Sequence, residues 1–138
     1  CRVDMVLGAS TANKIYAPLE GKRSVSSLTL TTDDGSAGIH GQISEAIPRL
    51  IREYQTEVIY SCGPMGMLSA IAKIAEEFDI SHQCSVEEAM ACGIGVCMTC
   101  VVPIKHEDGI KMVRTCVDGP VMDGSEIIWD RKSVMDAL

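Results

Sequence analysis

Seven cysteines fall within 138 residues, and four of them are spaced so that they could share chemistry: Cys92, Cys97, Cys100 and, further on, Cys116. Cys-x4-Cys-x2-Cys followed by a distant fourth cysteine is the plant-type 2Fe–2S pattern, in which four thiolates hold two irons. Three closely spaced ligands need a loop that wraps the inorganic core, not a regular helix or strand. Gly93 and Gly95 suit such a loop, because glycine reaches backbone angles that side chains forbid and lets the chain pass close to the core. Backbone N–H groups there can point at the sulfides and stabilise the reduced, more negative state. Two other readings use the same residues. Four thiolates also suit structural zinc, although zinc sites usually pair two short knuckles, and Cys116 has no near partner in sequence. Disulfides are the third reading. They are rare in a reducing compartment, and the remainder of Cys1, Cys62 and Cys84 is odd in number.

The rest of the composition narrows the class. Apolar residues make up 46%, enough for one ordinary domain or two small ones. A formal net charge of −7 disfavours a nucleic-acid surface, and 4% aromatics leaves few stacking platforms for single strands. No apolar run has the length of a membrane span, and Cys1-Arg2-Val3-Asp4 is no basic-then-apolar leader, so a soluble cytoplasmic location is expected. The first residue is not methionine, which suggests a processed or partial chain.

The elements that would position the cysteines follow from periodicity. Val3–Gly8 reads as a strand, Ala9–Leu19 as a helix with Pro18 near its end, and Val25–Thr32 as a second strand. A polar, glycine-rich loop runs from Thr32 to Gly41. Ile43, Ala46, Ile47, Leu50, Ile51 and Tyr54 recur at helical spacing, with Pro48 discordant. Glu57–Cys62 is a third strand, and Met65–Phe78 a helix with Leu68, Ile71, Ala72 and Ala75 on one face. Alternating strands and helices imply an α/β fold with a parallel sheet, whose ligands bind at the strand carboxyl ends. Both noteworthy loops, Thr32–Gly41 and Cys62–Met65, fall at such ends. Character changes at about Asp79–His82, dividing residues 1–80 from a small β-rich module at 81–138. In that module Ser85 and Glu88 are spaced as a capping box. Strands are expected at Val101–Ile104, Ile110–Cys116 and Glu126–Trp129, with an Asp108-Gly109 turn.

Ser85-x-Glu87-x-x-Met90-x-Cys92-Gly93-Ile94-Gly95-x-Cys97-x-x-Cys100, followed by Cys116-x-Asp118-Gly119-Pro120-Val121, resembles the electron-transfer subunits of NAD-dependent (class 1B) bacterial dihydroorotate dehydrogenases. Thr32-Asp33-Asp34-Gly35-Ser36-x-Gly38-x-x-Gly41 and Cys62-Gly63-Pro64-Met65 match the same family in the same order. The resemblance covers most of the chain. It implies the ferredoxin reductase superfamily: an FAD barrel, an NAD-binding α/β domain and a C-terminal 2Fe–2S domain. It also implies a relay from an FMN-containing, dihydroorotate-oxidising catalytic subunit through the cluster to FAD and NAD, in pyrimidine biosynthesis. Cys92, Cys97, Cys100 and Cys116 would be the ligands. Cys62, Gly63 and Pro64 would lie by the nicotinamide; Thr32, Asp33, Asp34, Gly35 and Ser36 would lie near the adenosine half. The FAD barrel and the glycine-rich first strand of the nucleotide domain have no counterpart in these residues, so an N-terminally truncated, incomplete sheet is expected, inactive by itself toward NADH and dyes. Related subunits of sulfhydrogenases or NADPH–ferredoxin transhydrogenases are the rival. They tend to carry Asp at the first cluster position, where this chain has Cys92. Zinc could replace a lost cluster.

Simpler readings of single residues stand beside these. Cys62 could be a buried small hydrophobe, and Asp33-Asp34 a solvated loop or helix cap. His40, His82 and His106 are scattered. Met90, Met98 and Met122 are expected to shield the cluster from water, and Trp129 to pack on its module or a partner.

Overall fold

A computed structural model describes residues 1–130 and Val134. The chain divides into two units, Cys1–Thr56 and Glu57–Leu138.

In the first unit β1 (Asp4–Ala9), β2 (Ser27–Thr32) and β3 (Ile39–His40) form a parallel sheet in that order. β1 and β2 run in register from Asp4 opposite Ser27 to Ala9 opposite Thr32. Among the described residues the other edge of β1 pairs with no strand. The helix expected over 9–19 is instead a 3-10 turn at Ala12–Lys14 and a short helix α1, Pro18–Ser24. Pro18 opens this helix rather than closing one. A first-turn N–H has no helical acceptor anyway, and proline's fixed φ suits that position. Helix α2 (Ile43–Tyr54) buries Ala46, Ile47, Leu50 and Ile51, the face its spacing indicates. Pro48 lies inside it without ending it, forgoing one backbone bond.

The second unit holds β4 (Val58–Cys62), α3 (Met65–Glu77), β5 (Ser81–Ser85), β6 (Val101–His106), β7 (Gly109–Arg114) and β8 (Val121–Asp123). β5 is central in the order β4-β5-β8, parallel to β4 and antiparallel to β8. β6 and β7 form a separate antiparallel hairpin. The core joins these parts: Leu68 of α3, Cys84 of β5, Val86, Val102 of β6 and Ile127 pack together, flanked by Met122 and Trp129. The Trp129 indole N–H donates to the Gly124 carbonyl at 3.0 Å.

This core holds β4, α3 and β5 in one compact unit with the cysteine segment, because β5 carries Cys84 into the core that holds Leu68 and Val102. It also explains two departures from the sequence reading. No helix follows Ser85, which instead ends β5. Val86 is buried and its N–H donates to the Pro120 carbonyl at 2.9 Å, so tertiary pairing overrides the local cap signal. The strand expected at Glu126–Trp129 reduces to one bridge, Ile127 opposite Ile104.

His82 sits in this unit at 3% exposure, with Nε2 2.7 Å from the Ser61 hydroxyl. Burial holds its imidazole below the ordinary histidine value, while Asp123 pulls the other way. The unfolded chain therefore binds a proton here more readily than the folded chain once pH drops below about 6.5. Stability should be intact above that value and be lost progressively below it. Urea midpoints measured at pH 7.5 and 5.5 should fall in the parent and fall less in His82→Gln. Equal falls would refute the assignment.

Candidate functional site

Residues 91–100 form an irregular loop that ends where β6 begins, and Cys116 follows β7 by two residues. The hairpin register places Val101 opposite Arg114, and the Thr115 N–H donates to the Cys100 carbonyl at 2.9 Å. Strand pairing thus carries Cys116 to Cys100. At the other end of the loop, the Val96 and Cys97 N–H groups both donate to the Cys92 sulfur at 3.4 Å. The loop thus turns two backbone donors toward one thiol.

The thiols interact in pairs. The Thr99 hydroxyl donates to the Cys97 sulfur at 3.1 Å, and this bond, with help from Cys92, pulls the Cys97 thiol down to about 6. The Cys116 N–H and side chain draw the Cys100 thiol below its usual range, while Cys100 in turn pushes the Cys116 thiol up. Cys100 is buried, Cys92 and Cys116 are half-buried, and Cys97 is exposed. Two pairs, Cys92 with Cys97 and Cys100 with Cys116, suit a two-iron centre with two thiolates per metal. Among the described residues no group of three or more His, Cys, Asp or Glu side chains is placed to hold one metal ion. None of the seven cysteines is disulfide-bonded.

Arg114 braces the loop from outside. Its Nη1 donates to the Gly95 carbonyl at 3.1 Å, and Asp118 holds the arginine through the backbone N–H at 2.9 Å and Nε at 3.4 Å. Those bonds hold the Asp118 carboxyl below the usual range, the Arg114 N–H contributing most. The expected methionine shield is not formed by Met90 and Met98, which are 59% and 51% exposed, whereas Met122 packs against the core. Ile94, Val96, Val117 and Val121 are exposed too, giving the loop an apolar rim.

The remaining candidates lie at strand carboxyl ends, in separate units. In the first, Thr32 ends β2 fully buried; its hydroxyl donates to the Ala37 carbonyl at 2.8 Å and accepts the Ala37 N–H at 3.1 Å. Thr32 therefore shapes the loop from beneath. Asp33, Asp34, Gly35 and Ser36 form the exposed turn above it. The Asp34 carboxyl, lowered chiefly by the Ser36 hydroxyl, accepts the Ser36 N–H at 3.0 Å, and the Ala12 N–H donates to Ser36 Oγ at 2.8 Å. In the second unit, Cys62 ends β4, exposed, with its sulfur 3.6 Å from Glu87 Oε1. Gly63 and Pro64 lead directly into α3. A shallow hollow of about 270 Å³ lies beside Cys62, lined by Tyr60, Ser61, Gln83, Ser85 and Val121.

Sequence reasoning missed Thr99, Arg114, Thr115 and the Glu87 contact to Cys62. Thr99 offered a signal, a hydroxyl inside the Cys-x2-Cys step; Arg114 reaches Gly95 across 19 residues, which no local pattern records. The two loop glycines make separable predictions. A Cβ on Gly95 (φ +79) would lie 2.7 Å from a Val117 methyl, whereas one on Gly93 (φ +69) meets nothing within 4 Å. Both alanines pay the left-handed backbone cost of roughly 1–2 kcal/mol; only Gly95→Ala adds a clash. Gly95→Ala should retain less iron and sulfide than Gly93→Ala, measured on protein purified anaerobically. The reverse order would contradict this geometry.

Residues 87–128 match the family model for the iron–sulfur cluster binding domain of dihydroorotate dehydrogenase B. The dihydroorotate dehydrogenase B (NAD(+)) electron transfer subunit of Desulforamulus reducens is 33% identical over 94% of this chain and 50% of its own length. That of Streptococcus mutans is 39% identical over 86% of this chain and 45% of its own. A solved structure of an NADH-dependent reduced ferredoxin–NADP oxidoreductase, described in connection with flavin-based electron bifurcation, superposes with a TM-score of 0.77 at 31% identity, covering 98% of this chain and 46% of that one. The chain thus spans about half the length of the curated relatives it matches. The chain, a mixed α/β protein, is similar over about half their length to the dihydroorotate dehydrogenase B electron transfer subunits, and its residues 87–128 match their iron–sulfur cluster binding domain.

Proposed function

We propose that this chain is the cluster-bearing part of an electron-transfer subunit, with Cys92, Cys97, Cys100 and Cys116 as ligands of a 2Fe–2S cluster. The observation that carries this reading is the pairing of Cys92 with Cys97 and of Cys100 with Cys116 inside the segment that matches the iron–sulfur family. When bound, such a cluster takes up and releases single electrons, which divides a two-electron flavin exchange into steps. The chain's residues do the rest. Val96 and Cys97 N–H groups and the Thr99 hydroxyl solvate sulfur charge, and Cys100 sits out of water. The apolar rim of Ile94, Val96 and Met98 gives a partner a surface to cover.

In the full pathway, electrons come from an FMN-containing, dihydroorotate-oxidising catalytic subunit and leave through FAD to NAD, in pyrimidine biosynthesis. Residues 1–80 then serve as part of the NAD-binding domain and 81–138 as the cluster domain. Asp33, Asp34, Gly35 and Ser36 stand near the adenosine half, with Thr32 supporting their loop. Cys62, Gly63 and Pro64 stand by the nicotinamide, where the hollow beside Cys62 leaves room. No helix among the described residues is long and apolar enough to cross a membrane, and seven unpaired thiols suit a reducing cytoplasm. The likeness to the reduced ferredoxin–NADP oxidoreductase favours one second reading, a related subunit that exchanges electrons with ferredoxin.

The test uses the full-length protein with its catalytic subunit. Loss of an outer partner of a metal ligand commonly costs 10–100-fold, so removing a ligand, as in Cys97→Ala, should cut dihydroorotate-dependent NAD reduction by more than about 100-fold. Dye-linked dihydroorotate oxidation by the catalytic subunit should be unchanged. Undiminished NAD reduction would overturn the ligand assignment. Turnover with reduced ferredoxin but not with dihydroorotate would select the second reading.

A further inference from the structure

Arg114 ends β7, and the turn that follows it carries Cys116. The Val117 and Asp118 N–H groups return to the Arg114 carbonyl at 3.1 and 2.8 Å, and the Arg114 N–H donates to Asp118 Oδ2 at 2.9 Å. The turn is therefore closed on itself, with Cys116 inside it. The Arg114 side chain leaves this turn for the other cysteine segment, where Nη1 donates to the Gly95 carbonyl at 3.1 Å, between Cys92 and Cys97. Gly95 leaves room for it: a Cβ there would lie only 3.3 Å from Nη1. Asp118 Oδ2 also accepts from Nε at 3.4 Å. Nε lies toward the base of the side chain and Nη1 at its tip, so the carboxylate grips the stem while the cationic tip rests on the loop. The two side chains are 37% and 39% exposed, and an ion pair that open adds little to stability. What it does is fix a charge, because a guanidinium keeps its proton at any working pH.

We propose that Arg114 is a positioning residue that clasps the Cys92–Cys97 loop to the Cys116 turn, and that its positive charge raises the reduction potential of the bound cluster while Asp118 offsets part of that effect. The inference rests on the cluster reading above. Reduction adds one negative charge to the centre, so a cation held beside it stabilises the reduced form more than the oxidised one. A carboxylate at the same place acts with the opposite sign. Arg114 and Asp118 therefore pull the potential in opposite directions, although they belong to one clasp. A purely mechanical brace would behave differently, since loosening it from either end would disturb the loop in the same way.

The experiment is a spectroelectrochemical titration of the full-length holoprotein and of Arg114→Gln, Arg114→Lys and Asp118→Asn. Glutamine removes the charge and keeps an N–H donor; lysine keeps the charge; asparagine keeps an oxygen for the Arg114 N–H and loses the charge. Arg114→Gln should lower the reduction equilibrium constant roughly three- to tenfold, about 30–60 mV more negative for one electron. Asp118→Asn should shift it the other way, and Arg114→Lys should stay within about twofold of the parent. A loaded Arg114→Gln at the parent potential, or Arg114→Gln and Asp118→Asn shifting in the same direction, overturns the proposal. If Arg114→Gln does not retain its cluster, Asp118→Asn decides, and an unchanged or lowered potential there overturns it. If neither is loaded, Arg114→Lys decides: a cluster at the parent potential supports the charge role, and a shifted potential or a lost cluster overturns it. A parent protein that takes up no iron and sulfide brings down the cluster reading as well; a loaded parent with unshifted variants brings down only the role of Arg114 and Asp118.

Discussion

The register of the β6–β7 hairpin governs where the fourth cysteine lies. Cys100 directly precedes β6 and Cys116 follows β7, so the ladder from Val101–Arg114 to His106–Gly109 determines which residue faces Cys100. Val102 and Val113 pair across the strands, and both are buried. A slip by one residue would turn one strand's apolar set to solvent and move Cys116 away. Burial thus enforces register, and register brings the Cys116 segment alongside Cys100. The two-residue turn between His106 and Gly109 keeps the hairpin tight, with Gly109 at φ +116, where a side chain would be strained.

The hairpin in turn depends on the core of its unit. Val102 packs with Leu68, Cys84, Val86 and Ile127, so a helix, a central strand and the segment before the cysteine loop share one apolar cluster with β6. Cys84 belongs to this cluster as a buried hydrophobe; burial pushes its thiol up to about 11, which keeps it protonated and apart from the reactive cysteines. From that base the loop needs few further restraints. Arg114 ties the Gly95 carbonyl to the end of β7, and Asp118 holds Arg114 in place. Rigid strands thus carry one thiol pair and a braced loop carries the other.

Much of this was legible in the residues, and the reason differs by feature. The cysteine spacing is local, so Cys92, Cys97 and Cys100 announce themselves; Gly93 and Gly95 mark a loop because both need positive φ. α2 and α3 follow from apolar periodicity, which survives because each helix buries a single face. Failures cluster where distant contacts decide. The capping signal at Ser85 loses to the burial of Val86, and the strand at Glu126–Trp129 shrinks to one bridge. Met90 and Met98 were expected against the cluster on residue type alone, yet they face solvent. Arg114 and Thr115 matter through what they touch across the hairpin, and no spacing rule finds such contacts.

The central claim is that two thiol pairs hold a two-iron, two-sulfide centre. Its most direct test is the iron, acid-labile sulfide and zinc content of anaerobically purified protein, read beside the visible absorption spectrum. The account predicts two irons and two sulfides per chain with little zinc, a stoichiometry set by four thiolates shared between two metals. One zinc per chain without sulfide, persisting after anaerobic iron–sulfur reconstitution, would contradict it and leave the cysteines as a structural metal site.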